Sequence, residues 1–193
     1  MDGTTDTRTR ILHVAERLAQ ERGYNGFSYA DIAGQVGIKT ASIHYHFPGK
    51  GDLGRDLAAR YRAAFAVRLA GIDRAGADAR GKLERYAQVY LDVLLDGDRM
   101  CLCGMLAADI ATLPAEIRDE VLRFFADQEA WLSGVLEEGR QAGILRFAGS
   151  AHAQARVIVA ALEGAMLVAR AHGDAARFRD AASRLIGMLE GWP

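Results

Sequence analysis

The densest cluster of reactive and hydrogen-bonding side chains in this 193-residue sequence lies between Lys39 and Phe47. Lys39, Thr40, Ser42, His44, Tyr45 and His46 supply a cation, two hydroxyls, two imidazoles and a phenol within one short stretch. On a helix, Ile43 and Phe47 are four residues apart and face inward, which leaves the polar groups on the outer side. Such a face can hydrogen-bond to base edges, and a DNA major groove about 12 Å wide admits one helix. Ala41 adds only a methyl, suited to close approach or to a thymine methyl. The same pattern also fits a solvated face, or ordinary helix packing in which Tyr45 or His46 bridges neighbours. His44 and His46, at i and i+2, point to different sides of a helix and do not form a metal pair.

A second unusual run is Met100-Cys101-Leu102-Cys103-Gly104, preceded by Arg99. Thiols near a helix start and beside a cation are biased towards thiolate, the state that senses electrophiles or oxidants. The alternative is two small apolar fillers in a core. C-x-C without a nearby His or a second Cys pair does not make a zinc site. A thiol enzyme using Cys101 or Cys103 lacks a base, since His13, His44, His46, His152 and His172 all lie in other segments. No Walker or dinucleotide glycine loop and no paired carboxylates stand out. The expectation is a protein with no catalytic residues, metal or cofactor; a helical scaffold that binds only protein remains a third reading.

The elements that must position these groups are helical. The sequence contains 35 Ala and 20 Leu against 26 Val, Ile and Thr, and only 3 Pro. That balance predicts an all-α fold. Ile11, Val14, Ala15, Leu18 and Ala19 mark a helix from Thr9 to Arg22, stopped by Gly23. Ser28 and Asp31 have capping-box spacing before Ile32, Ala33 and Val36, and Gly37 ends that helix. A third short helix carries the polar cluster, and Pro48-Gly49 breaks it. Lys50 opens a long fourth helix through Leu53, Leu57, Tyr61 and Leu69, with Gly51 and Gly54 weakening its first turns. Gly71, Gly76 and Gly81 mark a looser connection. Further helices are expected at about 82–95, 99–111, 114–142, 151–172 and 175–189, making nine in all.

Net charge is −1, but the first 62 residues carry nine basic and seven acidic groups, so the remainder is the acidic part. This tilt suits a DNA-reading head on a differently employed body. Apolar runs fall short of the ~18 residues that span a bilayer, and the first ten residues lack the apolar core of a secretion signal. Two Cys cannot build a disulfide framework, and a cytoplasmic location is expected.

A helix-turn-helix packed on a preceding helix is the arrangement that presents a recognition helix to DNA. The stretch Thr9-Arg10-Ile11-Leu12, Ala15, Leu18, Gly23-Tyr24, Ser28, Asp31-Ile32-Ala33, Val36-Gly37-Ile38, Ala41–Phe47, Lys50 and Asp52-Leu53 resembles the DNA-binding domain of the tetracycline-repressor (TetR/AcrR) family. The resemblance covers about residues 8–55. It implies a homodimeric, all-helical transcriptional regulator, with a helix-turn-helix domain in 1–50 and a ligand-binding and dimerisation domain in 51–193. It further implies a repressor released from a palindromic operator by a small-molecule effector, with no membrane partner. By position, Lys39, Thr40, Ala41, Tyr45 and His46 match family positions that touch DNA; Lys39, Thr40 and His44 are candidates for base edges. Ser28, Tyr45, His46 and Lys50 are candidates for phosphates, with Ala41 and Ser42 on the same surface. Lys50 would bring a cation and free helix N–H groups to a phosphate, and Arg8 and Arg10 would add non-specific affinity.

In the body, Ala160, Ala161, Gly164, Ala165 and Ala169 give one helix a small-residue surface that lets a partner helix approach closely. Val157, Ala161, Gly164, Ala165, Val168, Leu185 and Leu189 are the expected dimer interface; a helix buried within the chain is the alternative. Bulky groups on the middle helices are candidate walls of an effector pocket: Tyr61, Phe65, Tyr86, Tyr90, Met105, Phe124, Phe125 and Trp131, with Cys101 and Cys103. Each of these also suits an ordinary core.

Overall fold

The computed structural model describes residues 3–97 and 99–190, so Met1 and Asp2 of the N-terminal stretch considered above lie outside the described residues. Among the described residues there are nine α-helices and no strand. They are α1 (Gly3–Arg22), α2 (Tyr29–Val36), α3 (Thr40–His46), α4 (Lys50–Arg74), α5 (Ala79–Leu95), α6 (Leu102–Ala108), α7 (Ala115–Gln141), α8 (Ala151–His172) and α9 (Ala176–Gly187). The chain divides into two compact units, one of residues 1–63 with 101–122, the other of 64–100 with 123–193.

In the first unit, α1 begins six residues before the expected Thr9, with Asp6 in its first turn. A carboxylate there complements the helix dipole. Its buried stripe of Ile11, Leu12, Ala15, Leu18 and Ala19 meets Ile32, Val36, Ile43 and Phe47 in the core of the unit. Gly23 (φ 80°) turns the chain out of α1, and Gly37 (φ 76°) ends α2 in the left-handed region that a Cβ disfavours. The single helix expected from Arg99 to Ala111 is shorter. It starts at Leu102, with Cys101 as an N-cap that makes no side-chain hydrogen bond, and it gives way to a 3-10 turn, Ile110–Thr112.

In the second unit, the Asp78 carboxylate accepts the Gly81 N–H at 2.8 Å, which starts α5 at Ala79 rather than Lys82. Gly71 and Gly81 therefore lie inside helices, and the loose connection shrinks to the turn around Gly76. Ser150 caps α8 and Gly173 ends it, which gives the helix its expected bounds. By length and composition alone α8 is long and apolar enough to cross a membrane, a test that the core helix of a soluble protein also passes. It nevertheless buries a stripe of Ala155, Ile158, Leu162, Met166 and Ala169 against its own unit and carries Arg156, Glu163 and Arg170.

Candidate nucleic-acid interface

The second helix of the pair stands out from a sealed base. Ile43 and Phe47 are at most 1% exposed, whereas Tyr45 is 78% exposed. Lys39, Thr40, Ala41 and His44 are exposed too, and Ser42 and His46 half-buried. Tyr45 and His46 meet edge to face, with centroids 5.2 Å apart. His44 sets its ring edge on Tyr29 at 4.8 Å, and its Nδ1 lies 3.3 Å from the Pro48 carbonyl oxygen.

Behind this face, hydrogen bonds fix the angle of α3. The Tyr29 hydroxyl donates to the Phe47 carbonyl at 2.9 Å, and burial pushes its pKa up to about 12. Ser28 forms the full capping box: its backbone N–H donates to the Asp31 carboxylate at 2.7 Å, and its hydroxyl accepts the Asp31 N–H at 3.4 Å. Hydrogen bonds from the Ser28 hydroxyl and backbone hold the Asp31 carboxyl below its ordinary pKa.

Three cations assigned to DNA by sequence have structural work in the head. Lys50 lies half-buried, its ammonium donating to the carbonyls of Tyr24 (2.6 Å) and Phe27 and sitting over both rings. Burial pulls its pKa down, partly opposed by Asp109 and Asp31. In return, the Tyr24 hydroxyl donates to the Lys50 carbonyl at 2.7 Å. Lys50 thus staples α4 to the turn after α1, a structural role that its expected assignment to a phosphate did not include. Arg10 donates to the Val36 carbonyl at the end of α2, and Arg8 pairs with Asp56 and lies over the Phe47 ring. We expect Lys50→Met to lower stability by about 1–3 kcal/mol, the cost of stranding two carbonyls. Urea denaturation measures that loss. A phosphate-binding lysine would instead lower the salt slope of DNA binding by about one, and for Lys50→Met that slope should not change.

Sequence reasoning missed Asp109. Its carboxylate accepts the backbone N–H of Tyr24 at 3.0 Å and lies 3.5 Å from that of Asn25, while the Asn25 amide donates to Thr112 at 2.9 Å. The segment after α6 is thereby latched to the turn that carries α2. No local pattern signals a pairing between residues 85 positions apart.

The candidate effector residues are divided between the units. Tyr61, Cys101, Cys103 and Met105 belong to the first. Cys101 and Cys103 are thiols at most 2% exposed, so they lack the access a reactive cysteine needs and pack as core. Met105 lies beside Gly23. The other six form one aromatic cluster in the second unit. Phe65 sets edges against Tyr86, Tyr90 and Phe124 at 5.1–6.2 Å, Phe125 meets Phe124, and Trp131 stacks on Tyr86 at 5.7 Å. Gln128, another omission of the sequence reading, sits among them at 1% exposure. Its Oε1 accepts from the hydroxyls of Tyr86 (2.6 Å) and Tyr90 (2.8 Å), and its buried Nε2 has no acceptor. The signal was available: Gln128 is the polar member of the stripe Val121, Phe124, Leu132, Val135 on α7.

Of the expected interface residues, Val157 and Val168 are more than half exposed, Gly164 is exposed, and Ala161, Ala165 and Leu185 are half-buried. Leu189 differs from them: it follows the end of α9, is 3% exposed, and its carbonyl accepts the Arg146 N–H. Among the described residues no cluster of His, Cys, Asp and Glu is arranged to hold a metal.

Sequence and structure comparisons agree on the class this geometry defines. Residues 11–57 match "Bacterial regulatory proteins, tetR family", and residues 79–185 match "Tetracyclin repressor-like, C-terminal domain". A TetR-family transcriptional regulator from Agrobacterium tumefaciens superposes with a TM-score of 0.94 at 37% identity, covering 97% of this chain and 100% of that one. A TetR regulator from Legionella pneumophila gives a TM-score of 0.86 at 36% identity, over 93% and 95% of the two chains. The Escherichia coli K12 transcriptional repressor NemR is 28% identical over 86% of this chain and 84% of its own length. In its reduced crystal form NemR superposes with a TM-score of 0.82 at 26% identity, over 95% of this chain and 97% of that one. A helix-turn-helix head on an all-helical body makes this a DNA-binding transcriptional regulator. The chain belongs to the TetR family.

Proposed function

We propose that the protein is a transcriptional repressor that binds a palindromic operator as a homodimer and is released by a small-molecule effector. In this reading residues 1–50 bind DNA, residues 51–193 bind effector and dimerise, and the protein acts in the cytoplasm without catalysing a reaction. The observation that carries it is α3, whose apolar side is sealed while Lys39, Thr40, Ala41, His44 and Tyr45 face outward. Thr40, Lys39 and His44 are the proposed base readers, with Tyr45, His46, Ser28 and Ser42 beside them. An effector releases DNA only if it binds the DNA-incompetent conformation more tightly. Helix α4 contributes residues to both units and is the proposed lever.

The test is gel retardation of the full-length protein on duplex DNA from upstream of its own coding sequence. Affinity should fall by roughly a thousandfold or more between about 50 and 200 mM salt. No retardation at the lower salt would sink the reading.

A second copy is the proposed cover for α8, because that helix is apolar on two opposite sides. One side is buried in its own unit; the other presents Val157, Ala160, Gly164 and Val168. A Cβ at Gly164 meets nothing within 4 Å in its own chain. Gly164→Arg should therefore leave folding intact, convert the protein to a monomer in sedimentation equilibrium, and weaken operator binding by at least about tenfold. A dimer that persists in this variant would place the interface elsewhere.

A further inference from the structure

The aromatic cluster of the second unit is almost wholly apolar, and its polar groups are nearly balanced. The Tyr86 and Tyr90 hydroxyls both donate to Gln128 Oε1, and the Trp131 indole N–H donates to Asp73 at 2.9 Å. One donor is left over: Gln128 Nε2, buried and without an acceptor. A buried amide N–H strongly favours a site that supplies an acceptor. Phe65, Tyr86, Tyr90, Phe124 and Gln128 bring no charge, so a carboxylate or ammonium seated among them would be desolvated without a counter-ion.

We propose that Gln128 anchors a neutral small molecule through a carbonyl-type oxygen, as in a ketone, ester or amide. The oxygen accepts from Nε2, and the apolar remainder of the ligand lies against the rings of Phe65 and Phe124. This assignment rests on the effector reading above and narrows it to the chemistry of the ligand. Gln128 selects between ligands of the same shape by the presence of an acceptor, because an apolar isostere leaves the amide unmet.

Three probes of one size test it: acetophenone (neutral, with an acceptor), ethylbenzene (neutral, without one) and benzoate (charged). Trp131, stacked on Tyr86, is the fluorescent reporter, in full-length protein carrying Trp192→Phe. Acetophenone should quench saturably with a Kd at least about tenfold below that of ethylbenzene, and benzoate should not quench. In Gln128→Leu the first two probes should bind within about twofold of each other. Equal wild-type affinities for acetophenone and ethylbenzene, tighter binding of benzoate, or no quenching by acetophenone would each overturn the proposal, whether or not Gln128→Leu folds. So would a preference that survives in Gln128→Leu. Retardation of DNA with each probe is read separately. Selective binding without release of DNA upholds the anchor and removes the effector reading. Release that ignores Gln128 does the reverse.

Discussion

Gly54→Ala should destabilise the protein by about 2 kcal/mol, whereas Gly51→Ala, on the same helix, should stabilise it by up to about 1 kcal/mol. The two glycines look alike in sequence, and both lower the helix propensity of the start of α4. Their surroundings separate them. A Cβ on Gly54 comes within 2.4 Å of Ile117 Cδ1 and 2.8 Å of Tyr24 Cε2. Neither neighbour can yield easily: Ile117 is fully buried, and the Tyr24 ring is held by its hydroxyl bond to the Lys50 carbonyl. A Cβ on Gly51 finds only Pro114 Cγ at 3.5 Å, an ordinary contact. Urea denaturation of the two variants decides the matter through the sign of each shift in midpoint. Two shifts of the same sign would mean that helix propensity, not close approach, governs both sites.

Removing both Thr40 and Tyr45 side chains should weaken operator binding roughly a hundredfold while leaving stability within about 0.5 kcal/mol. Both residues are exposed on α3. Thr40 is a proposed base reader, and Tyr45 a proposed phosphate ligand through its phenol. Each good contact to a base or phosphate is worth about 1–3 kcal/mol, and every 1.4 kcal/mol is tenfold in affinity. Because neither group is charged, the dependence of log affinity on log salt should keep its slope. Fluorescence anisotropy over a salt series measures both quantities. A slope that falls in step with affinity would indicate a collapsed head rather than two lost contacts.

Much of this fold is legible in the sequence wherever the determinant is local. Ser28 with Asp31, and Gly37, set the ends of α2 without help from distant residues. Ser150 and Gly173 do the same for α8. The outward face of α3 follows from the spacing of Ile43 and Phe47 alone. Legibility fails where a side chain is claimed from far along the chain. Lys50 has every attribute of a phosphate ligand, yet its ammonium is taken up by carbonyls 23 and 26 residues earlier. Asp109 looks like a helix-end residue but serves the Tyr24 amide. The candidate effector residues show the same limit. Six of their aromatic members do gather in one cluster, but composition carried no hint that Tyr61 and Met105 fall in the other unit, or that an amide sits at the polar centre of the cluster.

The latch between Asp109 and the turn after α1, together with Ile117 in the notch over Gly54, bears on how such heads are transplanted. A fusion cut near residue 57 or 63 would move α1 to α3 but leave behind the side chains that close their underside. Two backbone N–H groups would lose Asp109, and the groove at Gly54 would open to solvent. The compact unit is discontinuous in sequence, so a chimera that carries residues 101–122 from the same parent as its recognition helix should be more stable than one cut at residue 57 or 63.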